Sequence, residues 1–309
     1  MKHFLFDAPL RPGAIRLLHT GTGVLLAIQA LFLLPDVSML YGPAGIVDQA
    51  LVHGRTFGIT ITDIVRGTAH LIGDYEQHFV KLIAVLYIAL ATMLALGRLP
   101  CVGIGTLLAI HALWHTSGSA FSYGVDYLSA TALFYCLCTP RARPMWHAPA
   151  LRLLQLHLCI IYFFSGLAKA LGATWWNGEA LWKAVNQPYH LDAVPGFIAW
   201  LGQFTWLWAV GGWGVIMLEL GYALFIWLHR LRPYWLWSIV GMHMGIALVI
   251  GLFQFAAVMI LLNVVAYHYA YHTETEQPVY PSNKKPSRLR WAVWKQPHHV
   301  AGDTREGGI

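Results

Sequence analysis

Three ionisable side chains stand inside otherwise apolar sequence, Lys169, Glu219 and His243, and these residue types support proton transfer and charge pairing. Each interrupts a run that reads as membrane-spanning, where a charge at a helix centre costs about 2.5–3.5 kcal/mol on insertion scales. A lysine kept at that cost either snorkels to the interface along its own stem or is retained for a purpose. Glu219, within Met217-Leu218-Glu219-Leu220, has two roles open to it. It is a counter-ion for the lysine, or it stays protonated and donates a hydrogen bond. His243, within Gly241-Met242-His243-Met244-Gly245, is expected to be neutral, accepting from one group and donating to another.

Helical spacing places Lys169 on one stripe with Tyr162, Ser165, Gly166 and Ala173, while Phe163, Phe164, Leu167 and Leu171 point elsewhere. Small residues mark the face where another helix packs closely, so Lys169 is expected to face a helix bundle and not lipid. Gly241 and Gly245 are expected to admit a neighbouring helix on the side away from His243. Beyond Gly172 the chain is expected to leave the membrane into a loop, Trp175-Trp176-Asn177-Gly178-Glu179, where Trp175 and Trp176 anchor at the interface or cover a ring-shaped ligand.

The elements that must position these residues are membrane helices. Of 309 residues, 57% are hydrophobic and only 11% charged, and the mean hydropathy is +0.55, which excludes an ordinary soluble domain. The reading is an all-α polytopic transmembrane bundle over residues 1–272, with about eight spans. They lie near residues 15–34, 76–96, 101–117, 121–137, 151–171, 205–228, 234–250 and 254–269. The first run lacks a small-residue cleavage motif and is expected to remain as a span. Residues 35–75 and 173–204 are the large loops, and residues 273–309 form a basic tail expected to lie loosely on the cytoplasmic membrane surface. With both termini cytoplasmic, Arg16, Arg98, Arg152, Arg230, Arg232 and the basic tail lie inside, and Arg55, Arg66, Lys81 and Lys183 outside. Lys169 then lies toward the extracytoplasmic side of an inner membrane. The net charge of +6 follows from that bias and does not point to nucleic acid. The four cysteines are expected to fill the core. The pairs His111/His115 and His268/His272 have ligand spacing on one helical face, but helix-end solvation accounts for them and no metal is expected.

Tyr162-Phe163, Gly166, Lys169, Trp176, Gly178 and Ala180-Leu181, in that order and spacing, resemble the core signature of the HTTM (horizontally transferred transmembrane) domain family, built on the membrane domain of vitamin K-dependent gamma-carboxylase. Glu219, the Arg230-Leu231-Arg232 turn, His243 and Gly251-Leu252-Phe253 extend the likeness. The resemblance implies that Lys169 is the base that deprotonates a reduced quinone, menaquinol or a vitamin K hydroquinone-like molecule, with Glu219 and His243 in the catalytic site and Tyr162, Trp175 and Trp176 around the cofactor. Oxygen addition to the quinol anion then yields a base strong enough for a weak carbon acid. The chain departs from the carboxylase in two places. Ser119 stands near the position of a functional histidine, and the tail beyond residue 272 is shorter than forty residues, where the carboxylase carries its substrate-holding domain. The implied substrate is therefore a lipid or small peptide. The alternative is a non-catalytic accessory protein that helps a partner membrane protein or peptide to mature or leave the cell.

Overall fold

The computed structural model describes residues 12–42, 45–46, 59–72, 76–119, 121–140, 144–186 and 195–268. All of these belong to one compact unit, Met1–Thr275; the second unit, Glu276–Ile309, with the rest of the basic tail and His272, lies outside the described residues. Regular structure among the described residues is entirely helical. In chain order the helices are α1 (Pro12–Leu33), α2 (Val37–Tyr41), α3 (Ile61–Ile72), α4 (Glu76–Ala95), α5 (Cys101–Ser117), α6 (Gly124–Cys138) and α7 (His147–Ala170). There follow α8 (Ala173–Trp176), α9 (Glu179–Val185), α10 (Pro195–Gly202), α11 (Thr205–Phe225), α12 (Arg232–Gly245) and α13 (Phe253–Asn263). Helices α12 and α13 each run on into a π-helical turn, Ile246–Ile250 and Val264–His268.

Five helical segments are long and apolar enough to cross a membrane: Gly13–Leu33, His78–Ala95, Pro144–Ala170, Thr205–Phe225 and Arg232–Ile250. The chain is accordingly an integral membrane protein. The other three expected spans fall on shorter apolar helices, Cys101–Ser117, Gly124–Cys138 and Phe253–His268. Large apolar side chains on the outer faces, such as Phe32, Val102 and Phe164, are exposed, as lipid-facing positions are and a soluble surface rarely is.

Side-chain bonds fix how the helices run. The hydroxyl of Thr20 donates to the Ala95 carbonyl, and His19 bonds Thr139, so α1 begins where α4 and α6 end. Gln155 donates to the Ala266 carbonyl at 2.6 Å, so α7 begins where the last helix ends; this amide also occupies a carbonyl of the π turn. Arg232 donates to the carbonyls of Ile226 and Trp227, capping α11 at the start of α12. The guanidinium of Arg152 lies 5.9 Å from the Trp227 ring. The eight longer apolar helices among the described residues therefore alternate in direction, and Arg152 and Arg232 gather at one end of the bundle. Close approach is built on glycine where helices touch by backbone. A Cβ on Gly23 would lie 2.6 Å from the Ala91 carbonyl oxygen, which is how α1 and α4 pack so tightly.

Several expectations change here. Residues 173–185 are not an open loop: α8 and α9 pack along the first half of α11. Gly178, in the left-handed region at φ 82°, sits against the main chain of Trp208 and Ala209, and Gly212 against the carbonyl of Trp175. Gly241 and Gly245 face no helix among the described residues, where a Cβ on either would meet nothing within 4 Å. Cys136 and Cys159 are buried, Cys138 is partly buried, and Cys101 is exposed. His111 is held between the Tyr87 hydroxyl at Nδ1 and the Asp126 carbonyl at Nε2, both 2.9 Å, so neither ring nitrogen is open to a metal. The His268 ring packs on Trp237. No group of three or more His, Cys, Asp or Glu capable of holding a metal occurs among the described residues.

Candidate functional site

Helix α7 carries the site because one of its faces is small and polar. Tyr162, Ser165, Gly166 and Lys169 follow one another on the side that meets α11. Gly166 decides the spacing: a Cβ there would lie 2.9 Å from the Leu220 nitrogen and 3.0 Å from Glu219 Cβ. With no side chain at Gly166, α11 comes close enough for Glu219 to reach Lys169. The outer face of the same helix, Phe163, Phe164 and Leu171, is exposed.

Lys169 Nζ lies 2.8 Å from Glu219 Oε2 and 3.1 Å from Oε1, and it donates to Ser165 Oγ at 2.7 Å. Its fourth neighbour is the Trp175 ring, 5.2 Å away. The lysine side chain is 20% exposed and that of Glu219 7%. Of the two roles open to Glu219, counter-ion is the one adopted. Snorkelling is not observed, because the ammonium turns inward onto α11. Lys169 stands about 25 Å further along α7 than Arg152, at 1.5 Å per residue, so it is remote from the arginine end of the bundle.

The second half of the site lies two turns back along α7. The Tyr162 hydroxyl is 2.8 Å from His243 Nε2 and accepts a hydrogen bond from Asn263 Nδ2 at 2.8 Å. Asn263 Nδ2 also donates to the Met259 carbonyl at 2.8 Å, and its Oδ1 accepts from the Tyr222 hydroxyl at 2.7 Å. The Tyr162 and Tyr222 rings lie 4.2 Å apart, and Tyr162, Tyr222, His243 and Asn263 are all buried. Buried polar groups in apolar surroundings are stable only when paired in this way. His243 Nδ1 is the exception: it is buried and has no hydrogen-bond partner among the described residues. The Phe255 ring lies 5.7 Å from the imidazole. A π turn, Ile246–Ile250, starts three residues beyond His243 and is closed by Gly251 at φ 78°, a conformation glycine adopts freely.

Of the six residues singled out by sequence, the structure brings together Lys169, Glu219 and Trp175, and separately Tyr162 and His243. Trp176 joins neither group. Its indole is exposed, its Nε1 donates to the Ala170 carbonyl, and its own carbonyl accepts from Trp213, so it caps the end of α7. Tyr162 is enclosed by protein rather than lining an open surface. Tyr222 and Asn263 were not identified as site residues from sequence. Asn263 was discoverable, as a lone amide in the run Ile260-Leu261-Leu262-Asn263-Val264-Val265, by the rule that marks polar residues in membrane helices. Near the end of α5, Ser119 Oγ is buried and unpaired among the described residues, in the stretch likened to a histidine-bearing region. Comparison with protein-family models, curated proteins and solved structures yields no match, so the site is read from its geometry alone.

Proposed function

We propose that this chain is a membrane enzyme of the HTTM type that uses Lys169 as a base toward a reduced quinone, and so drives modification of a lipid or small peptide. The observation that carries this reading is the ion pair of Lys169 with Glu219, held inside an apolar bundle at the end remote from the arginines. A base needs its amine neutral and, after taking a proton, needs its charge balanced. Glu219 at 2.8 Å would serve both states in turn: it takes the resting ammonium proton, and once that proton has passed on to solvent the carboxylate is the counter-ion of the reprotonated Lys169. Ser165 orients the amine, and Trp175 shields it from water. A reduced quinone, when bound, supplies an acidic hydroxyl and the reducing equivalents. The residues present fit such a group, because His243 Nδ1 is a buried polar atom that lacks a partner among the described residues. His243 would orient a ligand oxygen, and Lys169 would receive a hydroxyl proton.

We read the bundle as eight crossings with both termini cytoplasmic, a reading supported by the alternation of the helices and by the positive-inside rule applied to the arginine end. The site then faces the extracytoplasmic half of the inner membrane, and the substrate arrives from the bilayer. The accessory reading has its own support: Lys169 is fully paired within the protein and needs no ligand.

The test is quinol-dependent oxygen uptake by the purified full chain in lipid nanodiscs, alongside the double variant Lys169→Met/Glu219→Gln. That variant removes both charges together and spares the fold the cost of a stranded ion. Loss of uptake in a folded double variant supports the base. Unaltered uptake ends the reading, and absence of uptake in the native chain favours the accessory role.

A further inference from the structure

The hydrogen bonds around Asn263 leave one choice for every proton in the second half of the site. A main-chain carbonyl only accepts, so the Asn263 atom 2.8 Å from the Met259 oxygen is the amide nitrogen. The amide oxygen then faces Tyr222, whose hydroxyl donates to it at 2.7 Å. The second amide hydrogen points to the Tyr162 oxygen at 2.8 Å. Having accepted there, Tyr162 has its own hydrogen left to give, and its other polar neighbour among the described residues is His243 Nε2 at 2.8 Å. Nε2 is thus an acceptor, and a neutral imidazole carries its hydrogen on the other nitrogen, Nδ1. That nitrogen is the one without a hydrogen-bond partner among the described residues. A buried donor left unpaired is costly, and an oxygen-bearing ligand removes that cost on binding.

We propose that Asn263 is a positioning residue that acts through Tyr162 to hold His243 as its Nδ1–H tautomer, so that the imidazole offers a single buried donor to a carbonyl-type oxygen of a lipid-soluble ligand. The donor is matched to an acceptor and not to a hydroxyl hydrogen. The apolar neighbours, Phe255 among them, match an uncharged ring system. The naming of a naphthoquinone as that ligand rests on the function proposed above; the tautomer does not.

The test uses the full chain with nitrogen-15 histidine in lipid nanodiscs, the His243 signals being assigned by their loss in His243→Phe. The native chain is expected to show Nδ1 protonated and Nε2 bare. Tyr222→Phe keeps this pattern, because the Met259 carbonyl still fixes the amide. Tyr162→Phe and Asn263→Leu release Nε2 and give a mixture of tautomers, a change that general loosening of packing does not produce. Added menadione, a naphthoquinone without a tail, is expected to shift the Nδ1–H signal and to bind about tenfold more weakly to His243→Phe, the equivalent of one hydrogen bond. A native chain protonated at Nε2 overturns the positioning role. An Nδ1–H signal that menadione leaves unmoved, exchanging only with water, overturns the ligand role. If Asn263→Leu fails to fold, the native tautomer and Tyr162→Phe still decide. The tautomer of the native chain is read without quinone and without turnover, whereas the base reading stands or falls on oxygen uptake by Lys169→Met/Glu219→Gln, so failure of the one is told apart from failure of the other.

Discussion

At the scale of single residues, the ion pair sets the terms. An isolated membrane lysine is costly, and from sequence Lys169→Ala is expected to be at least as stable as the native chain if Lys169 is the base, and less stable if Lys169 and Glu219 form a structural pair. The structure favours the second outcome, because removing Lys169 strips Glu219, 7% exposed, of the cation it pairs with. Breaking a buried pair from one side costs about 3–5 kcal/mol, whereas replacing both partners by apolar residues is often neutral. Lys169→Met is therefore expected to lose about 3 kcal/mol of stability, with most of it recovered in Lys169→Met/Glu219→Leu, as read from thermal unfolding in one detergent. A single variant as stable as the native chain would mean that the pair contributes nothing. Tyr222→Phe is a milder change. It removes one donor to Asn263 without leaving a cavity and is expected to cost about 1 kcal/mol.

At the scale of elements, the site depends on two glycine contacts. Gly166 brings α7 and α11 together, so a larger residue pushes Glu219 away from Lys169. Gly166→Leu is expected to destabilise the protein by about 1–3 kcal/mol, the usual cost of overpacking, and to abolish any activity that needs the pair. Unfolding midpoint and quinol-dependent oxygen uptake measured on one preparation test both halves. Gly178 fixes the turn that lays α9 along α11. Its φ of 82° disfavours an L side chain, and a Cβ there would run into the Trp208 main chain. Gly178→Ala is expected to free α8 and α9 from α11, withdraw Trp175 from Lys169 and open the α9 segment to protease while the helices of the bundle stay resistant. Native-like protease resistance across 173–185 would refute this dependence.

At the scale of the whole molecule, the alternation of helices ties the chemistry to one side of the membrane. Arg152 and Arg232 mark one end, and Lys169 lies about 25 Å along α7 from Arg152. With the arginines cytoplasmic, Asn177→Cys is expected to react with an impermeant thiol reagent added to intact cells, and Ser287→Cys only after lysis. The reverse pattern would turn the bundle over and place the site on the cytoplasmic side. The native cysteines call for a background measurement, since Cys101 is exposed.

The sequence by itself determined the class, the position of the apolar helices and the inward face of α7, because hydropathy and a 3.6-residue period are local properties of the chain. It also singled out Lys169, Glu219 and His243, since charge in apolar sequence is visible without any contact. Which groups meet was settled only by the tertiary structure. Lys169 and Glu219 are 50 residues apart, and Tyr162 and Asn263 are 101 apart. Such pairs form because glycine at Gly166 lets α7 and α11 touch and because α13 returns beside α7, and neither packing arrangement is written in composition. The same reason explains Trp176, adjacent to Trp175 in sequence and identical in chemistry. The fold turns Trp175 onto the lysine and spends Trp176 on the end of a helix.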